Sequence, residues 1–168
     1  EADGALALTY TIRNRGREDF PYIWAAHCML VGTDDLRVET PYPADAPVAY
    51  TFGPEDRDTL PRDRMLGKDS DRAVSYKFYY EEPTDGGFLR AVYTQSGHAF
   101  EMDYRDSAAA LPYVGLWINN GNFKGYYNFA LECASAPYDA PHKAMEKGYC
   151  SELGAGKTLV FSVRVRVV

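Results

Sequence analysis

Hydrophobic and polar residues alternate with a period of two along most of this chain. In ALALTYTIRN (residues 5–14), Leu6, Leu8, Tyr10 and Ile12 fall on one face and Ala7, Thr9, Thr11 and Arg13 on the other, the pattern of a half-covered strand. The polar turn NRGRED separates it from the apolar run PYIWAAHCML (residues 21–30), and the two runs predict an antiparallel pair. Residues 32–66 are rich in proline and acids and read as connecting structure, with short strands at 36–39 and 48–51. Strand patterns resume at AVSYKFYY (73–80), FLRAVYT (88–94), HAFEMDYR (98–105), PYVGLWIN (112–119) and GYYNFALE (125–132). The last run, KTLVFSVRVRVV (157–168), sets Leu159, Phe161, Val163 and Val165 against Val160, Ser162, Arg164 and Arg166.

Only PHKAMEKG (141–148) reads as helical, with proline early and glycine at its close. No internal repeat or low-complexity tract is visible. Eight or more short strands punctuated by Gly, Pro and Asp predict an all-β sandwich or barrel.

The length of 168 residues suits one domain with a real core. A formal charge of −6 argues against nucleic acid as a partner, because binding it needs a positive surface that releases counterions. No run approaches the length of a membrane helix, and no membrane partner is expected. The chain lacks an initiator Met and a signal-peptide pattern, which reads as a piece of a longer protein. Cys28, Cys133 and Cys150 lie far apart without metal-ligand spacing, which predicts reduced thiols and a cytoplasmic setting.

Two features could carry chemistry. His27 shares a face with Ile23, Ala25 and Met29, and both faces of its strand are apolar, so a central strand covered on both sides is expected. Its imidazole is then either a hydrogen-bonded core group or a proton donor and acceptor that works near neutral pH. Cys28 points the opposite way and reads as an apolar filler. The second feature is GLWINNGNFKGYYNFALECASAPYD (115–139). There Tyr126, Asn128, Ala130 and Glu132 share a polar face, and Tyr113, Gly115, Trp117 and Asn119 line up on the preceding strand. An indole, an amide and a space-opening glycine suit a sugar, whose apolar ring face stacks on aromatics while its hydroxyls seek planar polar groups. Equally, Trp117 could be core and Asn119–Asn120 a turn with Gly121.

The strings NRGREDFPYIWAAHCML, LPYVGLWINNGNFKGYYNFALECASAPYD and ELGAGKTLVFSVRVRV, in this order and spacing, resemble the galactose mutarotase-like superfamily, the aldose 1-epimerases and their relatives. The resemblance implies a mutarotase-like supersandwich of mainly antiparallel strands. This chain would supply a single domain over residues 1–168 that lacks its N-terminal strands. It further implies His27 as general acid and Glu132 as general base in anomer interconversion, with a monosaccharide or sugar derivative as partner and no metal or organic cofactor. Trp117, Asn119 and Tyr126 are the candidate sugar contacts. The alternative is a non-catalytic carbohydrate-binding module, and a third is a structural domain with a vestigial pocket.

The departures are specific. Cys28 and Cys133 stand where the family usually has proline, and the family's substrate-binding aspartate has no match, since Asp71, Asp103 and Asp106 lack the right surroundings. Arg62, Arg64 and Lys68 are either a phosphate-binding group or a solvated charged loop. An open edge left by missing strands predicts an added N-terminal segment or association with another chain, a homo-oligomer included.

Overall fold

A computed structural model describes residues 4–54 and 73–168; Arg62, Arg64, Lys68 and Asp71 lie outside the described residues. Twelve strands account for about half of it: β1 (Leu6–Arg13), β2 (Phe20–Tyr22), β3 (Cys28–Val31), β4 (Leu36–Glu39), β5 (Val48–Phe52), β6 (Val74–Tyr80), β7 (Phe88–Tyr93), β8 (Ala99–Asp103), β9 (Tyr113–Asn120), β10 (Tyr127–Ala134), β11 (Ser151–Leu153) and β12 (Thr158–Val167). Among the described residues one short α-helix, α1 (Pro141–Glu146), starts on its proline as expected, and a 3₁₀ turn spans Arg105–Ser107.

Two five-stranded sheets form the sandwich, in the orders β1-β12-β8-β7-β4 and β3-β10-β9-β6-β5, and their neighbouring strands run antiparallel. The all-β expectation holds. The core between the sheets is built from the apolar faces that alternation assigns: Tyr76, Phe78 and Tyr80 of β6, Phe129, Leu131 and Cys133 of β10, and Phe161 and Val163 of β12. Burial pushes the Cys133 thiol up to about 12 and raises that of Cys28, so both stay protonated and pack as small apolar groups. The three cysteines are free.

Two expectations need correction. The first two apolar runs do not pair with each other: β1 pairs along its length with β12, while β3 joins β10 in the other sheet. The strand near His27 is also not central. β3 is an edge strand with Met29 and Val31 exposed, so only the face carrying Ala26, Cys28 and Leu30 meets the core.

The outer faces of the sheets differ. On the first, Arg90 lies 3.5 Å from Glu39 and 3.2 Å from Glu101, and Arg166 reaches Glu101 at 2.6 Å. That is a ladder of opposite charges around the largely buried Glu101. The outer face of the second sheet carries the candidate site.

Candidate active site

Strand register explains how the site assembles. Cys28 is paired with Leu131, Ala26 donates its N–H to the Cys133 carbonyl at 3.0 Å, and Ala25 forms a bridge with Ala134. Continuing that antiparallel register sets His27 opposite Glu132, on the face turned away from the core. Two strands further in, Tyr79 of β6 and Glu132 of β10 are both partnered with Gly115 of β9. Glycine leaves no side chain between them. The Tyr79 ring occupies that space, and its hydroxyl reaches Glu132 Oε2 at 3.4 Å across the middle strand.

Glu132 is 1% exposed and holds its two oxygens differently. Oε2 faces Lys77 Nζ, an ion pair in which the lysine is 4% exposed. Oε1 has no hydrogen-bond partner among the described residues, and His27 Nε2 stands 3.5 Å from it. One oxygen is anchored by Lys77, and the other, itself buried, faces the imidazole. Asp139, on the segment after β10, completes the cluster: it accepts from Tyr79 OH at 2.8 Å and Thr51 Oγ1 at 2.9 Å, with Lys77 Nζ 3.6 Å away.

The electrostatics follow from burial. Loss of water pushes the Glu132 carboxyl above the ordinary carboxylate range, Lys77 and then His27 draw it back, and Asp139 pushes it further up. Burial, with the charges of Glu132 and Asp139, drives the Tyr79 phenol strongly upward. Tyr79 therefore remains a hydrogen-bond donor to both carboxylates.

The sequence-designated residues fall in different places. His27 is 49% exposed rather than buried, because the edge strand leaves its outer face open. Its ring lies 5.7 Å from that of Trp117, tilted by 50°, and Trp117 is half-buried on the outer face, not in the core. Asn119 belongs to β9 and is fully buried. Its amide donates to the Tyr126 carbonyl at 2.8 Å, the Phe123 carbonyl at 3.2 Å and Asn128 Oδ1 at 3.1 Å, while its Oδ1 accepts from Phe123 N–H at 2.8 Å. That uses the amide to tie down the 121–126 loop. Tyr126 is exposed just before β10.

Lys77, Tyr79 and Asp139 were missed by the sequence reading. The available signal was Lys77 itself, one cation in an otherwise aromatic strand, since a lysine drawn into a buried sheet requires a carboxylate.

No family model matches the chain, and no curated protein does. Solved structures do match its fold. A candidate aldose 1-epimerase of Klebsiella pneumoniae aligns with a TM-score of 0.70 and 15% identity over 98% of this chain and 43% of its own. A candidate aldose 1-epimerase of Escherichia coli gives 0.63 and 19%, over 98% of this chain and 56% of its own. A galactose mutarotase-like protein of Lactobacillus casei gives 0.64 and 18%, over 99% and 60%. The chain has the mutarotase-like sandwich fold and spans about half the length of these structures.

Proposed function

We propose that the chain carries an aldose 1-epimerase-type site that interconverts the anomers of a sugar by acid–base ring opening. The observation that supports this reading is the meeting of Glu132 Oε1, buried and unpartnered, with a half-exposed imidazole on one open face.

His27 Nε2 and Glu132 Oε1 stand 3.5 Å apart. The reaction fits that spacing. The two oxygens that exchange protons, the anomeric hydroxyl and the ring oxygen, are bonded to the same carbon, so acid and base need to be neighbours and need not span the ring. Glu132 Oε1 removes the proton of the anomeric hydroxyl while protonated His27 gives one to the ring oxygen. The bond from the anomeric carbon to the ring oxygen breaks and a carbonyl forms. Rotation about the bond to the adjacent carbon exposes the other carbonyl face, and reclosure returns each proton to its donor. Positioned transfer of this kind contributes about 10²–10⁴-fold for each acid or base. Proton transfer suffices throughout, and Trp117 offers the sugar an aromatic edge beside the imidazole.

Exchange NMR or polarimetry on freshly dissolved aldoses tests the reading. Catalysed mutarotation that falls by at least about 100-fold in both His27→Asn and Glu132→Gln, with circular dichroism unchanged, supports it. Unaltered catalysis in either folded variant overturns it. Absence of mutarotation, with sugar binding that Trp117→Ala removes, assigns a carbohydrate-binding module instead.

A further inference from the structure

Lys77 is the one buried cation of the site, and its surroundings give it a definite task. It sits on β6 with its side chain on the outer face, in register with Trp117. Its ammonium pairs with Glu132 Oε2, lies 3.6 Å from Asp139 Oδ1 and rests 4.6 Å from the centre of the Tyr79 ring. A lysine this deep has given up its hydration, which two carboxylates and an aromatic face replace. The pairing is one-sided on the glutamate: Lys77 and Tyr79 both address Oε2, and neither hydrogen-bonds Oε1.

Building on the epimerase reading, we propose that Lys77 is a positioning residue of the reaction: it grips one oxygen of Glu132 so that the other is the base presented to the sugar. Without the ammonium, the carboxyl can turn either oxygen outward, and nothing as strong opposes its taking up a proton. The groups that face Glu132 are Lys77 and Tyr79 from β6, His27 from the segment before β3, and Asp139 from the segment after β10. Of these, His27 is half-exposed and screened by water, Tyr79 is neutral and Asp139 repels. Among these groups Lys77 is the strongest attraction that opposes burial and favours the ionised base.

The pH dependence of kcat/KM reads this directly, because its acid limb reports the free enzyme's base. In Lys77→Met the acid limb moves upward by about one pH unit or more, and mutarotation below that limb falls about tenfold or more for the same reason. Lys77→Arg, which restores a cation, brings the limb back toward the wild-type position. A folded Lys77→Met protein with the wild-type acid limb overturns the proposal. Lys77→Gln serves as a second variant if the methionine form does not fold.

Carboxylate titration by infrared difference spectroscopy, wild type against Glu132→Gln, separates the two readings. If no mutarotation is found, the epimerase reading fails, and the infrared arm still decides whether Lys77 controls Glu132. An upward move of the Glu132 band's titration in Lys77→Met supports that control, and an unmoved titration overturns it.

Discussion

Gly115 and Tyr79 are cross-strand partners packed so closely that a Cβ on Gly115 would lie 2.6 Å from the tyrosine ring. Tyr79 is almost fully buried and holds Asp139 at 2.8 Å through its hydroxyl. The ring fills the room a side chain would need, so this glycine of β9 lets side chains of β6 and β10 meet across it in one cluster.

Gly115→Ala should therefore destabilise the fold although alanine favours ordered backbone more than glycine does. The ring cannot retreat without breaking its bond to Asp139 and opening a gap beside Lys77. Overpacking of this type costs about 1–3 kcal/mol. Urea denaturation of the two proteins checks the value. The companion variant Gly115→Ala/Tyr79→Leu should recover part of the loss, because the smaller side chain yields the space. Equal stability of wild type and Gly115→Ala would show that the sheet shifts freely at this point.

Asn119 gives a second prediction of a structural kind. Its carboxamide satisfies two loop carbonyls and one loop N–H in a fully buried place. Asn119→Ala takes the partner from the Phe123 N–H, while the Phe123 and Tyr126 carbonyls keep their backbone bonds from Tyr126 N–H and Gly121 N–H, so the loss is about 1 kcal/mol, the net worth of an ordinary hydrogen bond. Hydrogen exchange should quicken at the Phe123 amide while amides of the β10–β3 pairing keep their protection. Unchanged exchange at Phe123 would refute the anchoring role.

Much of this arrangement was legible in the sequence. Alternation located β4, β6, β7, β8, β9, β10 and β12 to within a few residues and put Glu132 on the face opposite Phe129 and Leu131. Local pattern does not carry partner choice. NRGRED looks like a hairpin turn, yet β1 is claimed by β12 from the far end of the chain, a choice made by long-range packing. The three-residue strands β2 and β11, which pair with each other, are too short to display a period. His27 misled for a related reason: an apolar decapeptide suggests cover on both sides, and only the sheet order reveals an edge. Nothing in the local sequence marks the role of Lys77, because its carboxylate partners Glu132 and Asp139 lie far along the chain.

The raised carboxyl of Glu132 makes the protein's stability depend on pH in a direction opposite to that of most carboxylates. Burial is the largest cause and outweighs the attraction of Lys77 and His27. In the unfolded chain the group titrates near the ordinary glutamate value of about 4.3, and in the native state it titrates higher. Between those two values the native protein holds a proton that the unfolded chain has released, so stability falls as pH rises through the window. The contribution is complete below the unfolded value and is lost as pH climbs through the folded one. Other groups change charge over the same range, so the useful quantity is the stability of wild type minus that of Glu132→Gln. That difference should be most favourable to wild type at the acid end and decline steadily above about pH 4.3. Urea denaturation at stepped pH supplies it. A difference that grows with pH would mean that Lys77 holds the carboxylate more strongly than burial opposes it.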